Sequence, residues 1–151
     1  VLALLIGVVA GLRAATAPAV VAWAAHLDLM NLASSPLSFM AFPVAVLVFT
    51  LLAIVELIGD KLPSAPSRTR PPGLIGRIVL GGLAGAAIAA AGSQSMIVGA
   101  GLGVAGAIAG AFAGRELRQR LVRALAVPDF VIACLEDAVA IGGGLLIVTR
   151  F

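Results

Sequence analysis

Apolar residues run through this chain in five long blocks separated by short polar or Gly/Pro-rich breaks. The blocks cover residues 1–25, 37–57, 74–91, 96–113 and 130–148. Each is about 18 residues or longer, the length that carries a helix across a bilayer, and none shows the short alternating segments of a membrane β-barrel. The pattern predicts an all-α, polytopic membrane helix bundle of about five transmembrane helices, forming a single transmembrane domain over residues 1–151.

The first block starts at Val1 and continues through Val20-Val21-Ala22-Trp23. A secretory signal would end its apolar core at a small-residue cleavage site, so a retained first span is expected. Gly11-Leu12-Arg13-Ala14-Ala15-Thr16-Ala17-Pro18 interrupts it. Pro18 lacks a backbone donor and clashes with the carbonyl four residues back, at Ala14, which predicts a break between Arg13 and Pro18. Irregular helix at membrane depth is tolerated where it is buried in protein or lines a cavity. A proline kink that only serves packing fits the same residues.

The glycines of the fourth block, at positions 99, 103, 106, 110 and 114, recur every three or four residues and trace one stripe of a helix. Gly81, Gly85 and Ala89 make a matching strip on the third. Small residues let backbones approach where lipid offers no hydrophobic driving force, so these two helices are expected to form a tight scaffold, within the protomer or across a homo-oligomer. The connection Pro63 to Gly73 holds four prolines and should be extended and stiff. Asp129, after Pro128, is suited to cap the fifth helix.

Composition sharpens the class. With 62% hydrophobic and 11% charged residues the chain is no soluble globular domain. Its net charge of +3 comes from arginines in short connections, which indicates membrane topology, and no nucleic-acid partner is expected. Lys61, Arg68, Arg70 and Arg77 flank one connection and the arginines at 115–123 occupy another, whereas those at 26–28 and 93–95 have no Lys or Arg. Both basic loops are therefore expected in the cytoplasm, with the N-terminus inside and the C-terminus outside. Arg68, Arg70, Arg115 and Arg118 are candidates for contact with anionic lipid or a partner protein. Trp23 should sit at the outer interface.

Cys134 is the only cysteine, tyrosine is absent and His26 is the only histidine. No intramolecular disulfide, multi-cysteine metal site or nucleophile–base set can be assembled, so neither an enzyme nor a resident cofactor is expected.

Arg13, Glu56, Asp60, Glu136 and Asp137 stand inside or at the edge of the apolar blocks. Such groups cost at least a few kcal/mol each at the bilayer centre and usually line a bundle interior or a solute path. Glu56 and Asp60 are four apart and share a helix face. With Glu136 and Asp137 they offer oxygen ligands suited to Mg²⁺, Ca²⁺ or Mn²⁺, so a divalent cation is a candidate transported ligand. Arg13 and Thr16, in the interrupted stretch, complete the candidate solute- or ion-binding set. Two plainer readings stay open: Glu56 and Asp60 solvated at the cytoplasmic boundary, and Glu136 with Asp137 paired to Arg13 or a loop arginine. Arg13 followed by Glu56 and Asp60, then Arg115 followed by Glu136 and Asp137, fits an inverted repeat, as it fits a chance match.

The segments Gly11-Leu12-Arg13-Ala14, Glu56-Leu57-Ile58-Gly59-Asp60-Lys61-Leu62-Pro63 and Leu135-Glu136-Asp137 resemble, in order, motifs of a family of small bacterial inner-membrane proteins catalogued as a domain of unknown function. That resemblance implies a multi-pass protein of the bacterial inner (cytoplasmic) membrane and brings no activity. Glu56 to Lys61 is also similar to the Glu-x-Gly-Asp-Lys-Ser/Thr signature of cation/proton exchangers, with one more residue before the glycine and Leu62 at the hydroxyl position. This second resemblance implies metal binding by paired acidic motifs. Two classes of function follow: a transporter or channel for a small ion or solute using the intramembrane carboxylates, with a variant in which the basic loops and Arg13 recruit an anionic lipid headgroup or phosphate, or a non-transporting membrane subunit whose basic loops hold anionic lipid or a partner.

Overall fold

The computed structural model describes residues 1–61 and 69–151, and among these all regular secondary structure is helical. The helices are α1 (Leu2–Leu12), α2 (Thr16–His26), α3 (Pro43–Gly59), α4 (Pro71–Ala91), α5 (Met96–Leu125) and α6 (Asp129–Val148), with one 3-10 turn at Pro36–Ala41 before α3. Arg68 and most of the proline-rich connection lie outside the described residues.

Local chemistry sets the helix starts. Pro43 and Pro71 open α3 and α4, where the missing N–H is one the helix could not use. The Ser95 hydroxyl accepts from the Val98 amide and caps α5. At α6 the expected cap is not made. Pro128 holds the cap position, and Asp129, already the first helical residue, turns to Arg118 of α5 at 2.5 Å.

α4, α5 and α6 are long and apolar enough to cross a membrane, while α1 and α3 are apolar but shorter. The chain is thus a helical membrane protein. α5 continues to Leu125, so Arg115, Arg118, Arg120 and Arg123 stand on its last turns rather than on a connection.

The first apolar block is interrupted within the stretch expected, but the interruption is a reversal and not a kink. It forms two 11-residue helices that fold back on each other. Val9 of α1 lies beside Gly143 and Val20 of α2 beside Gly144, neighbouring residues of α6. One continuous helix would hold Val9 and Val20 about 16 Å apart. The chain therefore reverses at Arg13-Ala14-Ala15. The neighbours agree: α1 runs alongside α5 in the same direction, Leu4 meeting Gly106 and Val8 meeting Gly110. α2 runs against α3, with Ala15 at Glu56 and Trp23 donating to the Thr50 hydroxyl at 3.0 Å.

Three expectations change with the reversal. Val1 lies at the same end of the bundle as Gln94, Ser95 and Phe151, not at the opposite end from the C-terminus. α1 is parallel to α5, so the first block is not the inverted mate of the fourth. Pro18 does not break a helix at Ala14. It is the third residue of α2, where the backbone donor it lacks would have no partner in the helix.

The scaffold is the glycine seam, and it lies inside the protomer. Gly99, Gly103, Gly106, Gly110 and Gly114 are all buried. Gly99 and Gly103 take the backbone of α4 at Gly85 and Gly81, and Gly103, Gly106 and Gly110 take that of α1 from Leu4 to Gly11. A Cβ added at Gly99 would lie 2.6 Å from the Gly85 carbonyl oxygen, and one at Gly110 would lie 2.5 Å from that of Val8. Neither backbone can yield, so no larger residue fits.

Candidate functional site

The reversal carries the two helix ends into the charged level of the bundle. Arg13, extended at φ −139° and ψ 105°, closes α1 with its amide on the Val9 carbonyl at 2.8 Å. The next two amides belong to the start of α2 and point at α3. Ala14 donates to Glu56 Oε1 at 2.7 Å and Ala15 to Glu56 Oε2 at 2.8 Å. A cation thus stands at the negative end of α1 and an anion at the positive end of α2, each complementing a helix dipole.

Arg13 is fully buried, at 0% exposure, and is the hub. Its guanidinium pairs with Asp60 of α3, with Asp137 at 2.5 Å through Nε, and with Glu136 at 3.6 Å through Nη2. Lys61 Nζ takes the other Asp137 oxygen and also donates to the Leu57 carbonyl at 2.9 Å. Arg77, on α4, donates to the Gly11 carbonyl and to the Gly73 carbonyl, each at 3.1 Å, and reaches Glu56 at 3.5 Å. Arg118 holds Asp129 with two bonds and lies 3.5 Å from Glu136.

Glu56, Asp60, Glu136, Asp137 and Arg13, singled out on separate segments, therefore meet in one cluster. Each carboxylate has a basic partner. Among the described residues no set of three or more acidic, His or Cys side chains stands in a metal-binding arrangement. The physical reason is the Arg13 guanidinium, which occupies the space between Asp60, Glu136 and Asp137 where a cation would have to sit.

Sequence reading missed Arg77 and Lys61. It took Arg77 for the flank of a connection by starting the third helix at Leu74, whereas α4 starts at Pro71 and buries Arg77. The readable signal was the arginine's position a full turn inside Pro71-Pro72. Arg118, expected to face lipid or a partner, is turned inward. Arg70 and Arg115 are exposed, Arg115 donating to the Thr69 hydroxyl at 2.8 Å.

Thr16 is buried at 3% exposure, and its hydroxyl has no hydrogen-bond partner among the described residues. Arg13 Nη2 is in the same condition, its contact with Glu136 being too long for a hydrogen bond.

Fold and site define a helical membrane protein with a closed charge network at the tip of a helical hairpin. The model of the family described as a domain of unknown function, DUF4126, matches residues 1–150, and the chain belongs to that family. No curated protein and no solved structure matches it.

Proposed function

We propose that this chain is a small transporter of the bacterial inner membrane, in which the hairpin tip and the charge network form the gate and the proton- or ion-exchanging element. In this reading α3 to α6 are complete crossings, the hairpin enters from the outer side, and the basic ends of α4 and α5 are cytoplasmic. The row of exposed apolar residues on α3, including Val44, Leu47, Leu51, Val55 and Ile58, supports its contact with lipid.

The observation that carries transport is the reversal itself. Interrupted helices at depth, with dipole ends turned on charged groups, are how secondary transporters build a site, and a scaffold would be served by an unbroken helix. Carboxylates linked to exchangeable basic partners in a low dielectric can trade an ion pair for a proton, which gives the network two charge states.

Reconstituted protein should show proton or divalent-cation flux, and Glu136→Gln should abolish it with the unfolding midpoint little changed, because Arg13 keeps Asp60 and Asp137. A silent wild-type protein, or unchanged flux in the variant, would refute transport. Single cysteines at Asn31 and Gln94 should react with an impermeant thiol reagent from the outer side and one at Arg123 only from the inner side. Labelling of Gln94 from the inside would overturn the orientation.

Closure of the network favours a second reading, a non-transporting membrane subunit whose charges hold helices together while Arg70 and Arg115 contact anionic lipid, a partner protein or a second copy in a homo-oligomer. There, removing charge should cost assembly before it costs any flux.

A further inference from the structure

The start of α2 holds more hydrogen-bond donors than the carboxylate lying on it can use. Glu56 brings two oxygens, and the amides of Ala14 and Ala15 take one each. Arg77 Nη2 also approaches, at 3.5 Å from Oε1. Two further buried donors nearby have no hydrogen-bond acceptor among the described residues: the hydroxyl of Thr16, in the first turn of α2 and 3% exposed, and Nη2 of Arg13, at 0%, which faces Glu136 at 3.6 Å. Burying a donor without an acceptor costs free energy that a closed structural network has no reason to bear. The pair marks a state in which the site holds a group with more oxygens.

We propose that the start of α2 is a binding site for a phosphate group, and that Glu56 occupies it as a tethered stand-in when it is empty. The inference rests on the transport reading and gives it a substrate class, an anion whose passage is coupled to the proton or cation that the network exchanges. A free helix start with amides aimed at an anion is the usual phosphate cradle, and α2 supplies it. A carboxylate matches the two amides. A phosphate, with three or four oxygens, also reaches outward to guanidinium and hydroxyl donors. Once Glu56 swings away, the charges around the cradle are Arg13 and Arg77, both buried and both able to donate, and Asp60, which pairs with Arg13 and lies 3.9 Å from Arg77. Bound phosphate and Glu56 exclude each other by charge and by space, so arrival of the solute frees a carboxylate that Arg77 or a proton must then take.

The phosphate has two sources with the same chemistry, free inorganic phosphate or the headgroup of an anionic lipid. An apolar crevice of about 130 Å³ between α5 and α6, lined by Leu117, Ile132, Leu135 and Val139 with Arg118 and Glu136 at its polar edge, would take only the first few methylenes of a lipid chain.

The test is equilibrium binding to the full chain in detergent, with radiolabelled inorganic phosphate against chloride at matched ionic strength in one arm. The other arm uses micelles doped with phosphatidate, with diacylglycerol as the uncharged reference. Glu56→Gln should bind phosphate roughly tenfold more tightly than wild type, since the resident charge is gone. Thr16→Val, which removes the orphan hydroxyl at constant shape, should weaken binding while the unfolding midpoint without ligand stays level or rises. Binding in the first arm identifies free phosphate, and binding in the second alone identifies a lipid headgroup. No binding in either arm, or affinities indifferent to both substitutions, overturns the proposal. Should Glu56→Gln fail to fold, Thr16→Val decides, and equal affinity to wild type is the overturning result. Phosphate binding without proton or ion flux would refute transport and leave a ligand site, whereas flux without phosphate binding would refute this inference alone.

Discussion

Arg13→Met should destabilise the protein by about 3–5 kcal/mol, enough to prevent its recovery as a folded, monodisperse species. The side chain is fully buried and faces Asp60, Asp137 and Glu136, so its loss leaves carboxylates in a low dielectric with too few cations. Lys61 still holds one oxygen of Asp137 and Arg77 still reaches Asp60 at 3.9 Å, but nothing replaces the hub. Adding Asp137→Asn to Arg13→Met removes one excess charge and should recover a large part of the loss, a coupling that thermal unfolding in detergent would read. Wild-type stability for Arg13→Met would mean that the network is not closed through this residue.

Gly106→Leu should be as damaging for a different reason. A Cβ there lies against the Leu4 carbonyl and 2.8 Å from the Val8 nitrogen, so even the first carbon meets the backbone of α1. Overpacking against backbone has no side chain to push aside, and a loss of more than about 3 kcal/mol is expected. Displacing α1 also draws Arg13 away from α3 and α6. Gly101→Leu is the control, because nothing lies within 4 Å of a Cβ at that position. It should purify with the size and unfolding midpoint of wild type, and parity between the two leucine variants would place the stripe against lipid.

The seam was legible because it depends on one helix: glycines at a spacing of three and four name their own face, and the seam needs only a neighbour of small residues. The acidic cluster was legible because charges stand out in apolar runs. The reversal at Arg13-Ala14-Ala15 was not. Pro18 and the residues around it announced an interruption, but Arg13-Ala14-Ala15 contains no glycine, asparagine or proline to announce a full reversal, and two 11-residue helices on either side of it read as one interrupted block of membrane-spanning length. What stabilises the turn is Glu56, 42 residues further on, accepting from the amide of Ala14. A local pattern cannot display a cap supplied from so far along the chain. Arg77 escaped for a related reason, since its burial is decided by the Gly11 carbonyl of another helix.

The hairpin also has a consequence for biogenesis. Neither of its helices is long enough to engage the translocation machinery as a stop-transfer segment, and its tip carries a charge. Asp137 lies 124 residues downstream of the arginine it neutralises. At the pace of synthesis that interval lasts roughly ten seconds. During it Arg13 has no Asp137 to pair with, so α1 and α2 can reach their final packing only after α6 has been made. Docking of α1 and α2 therefore follows the synthesis of α6. A chaperone-like insertase should matter most at that docking step.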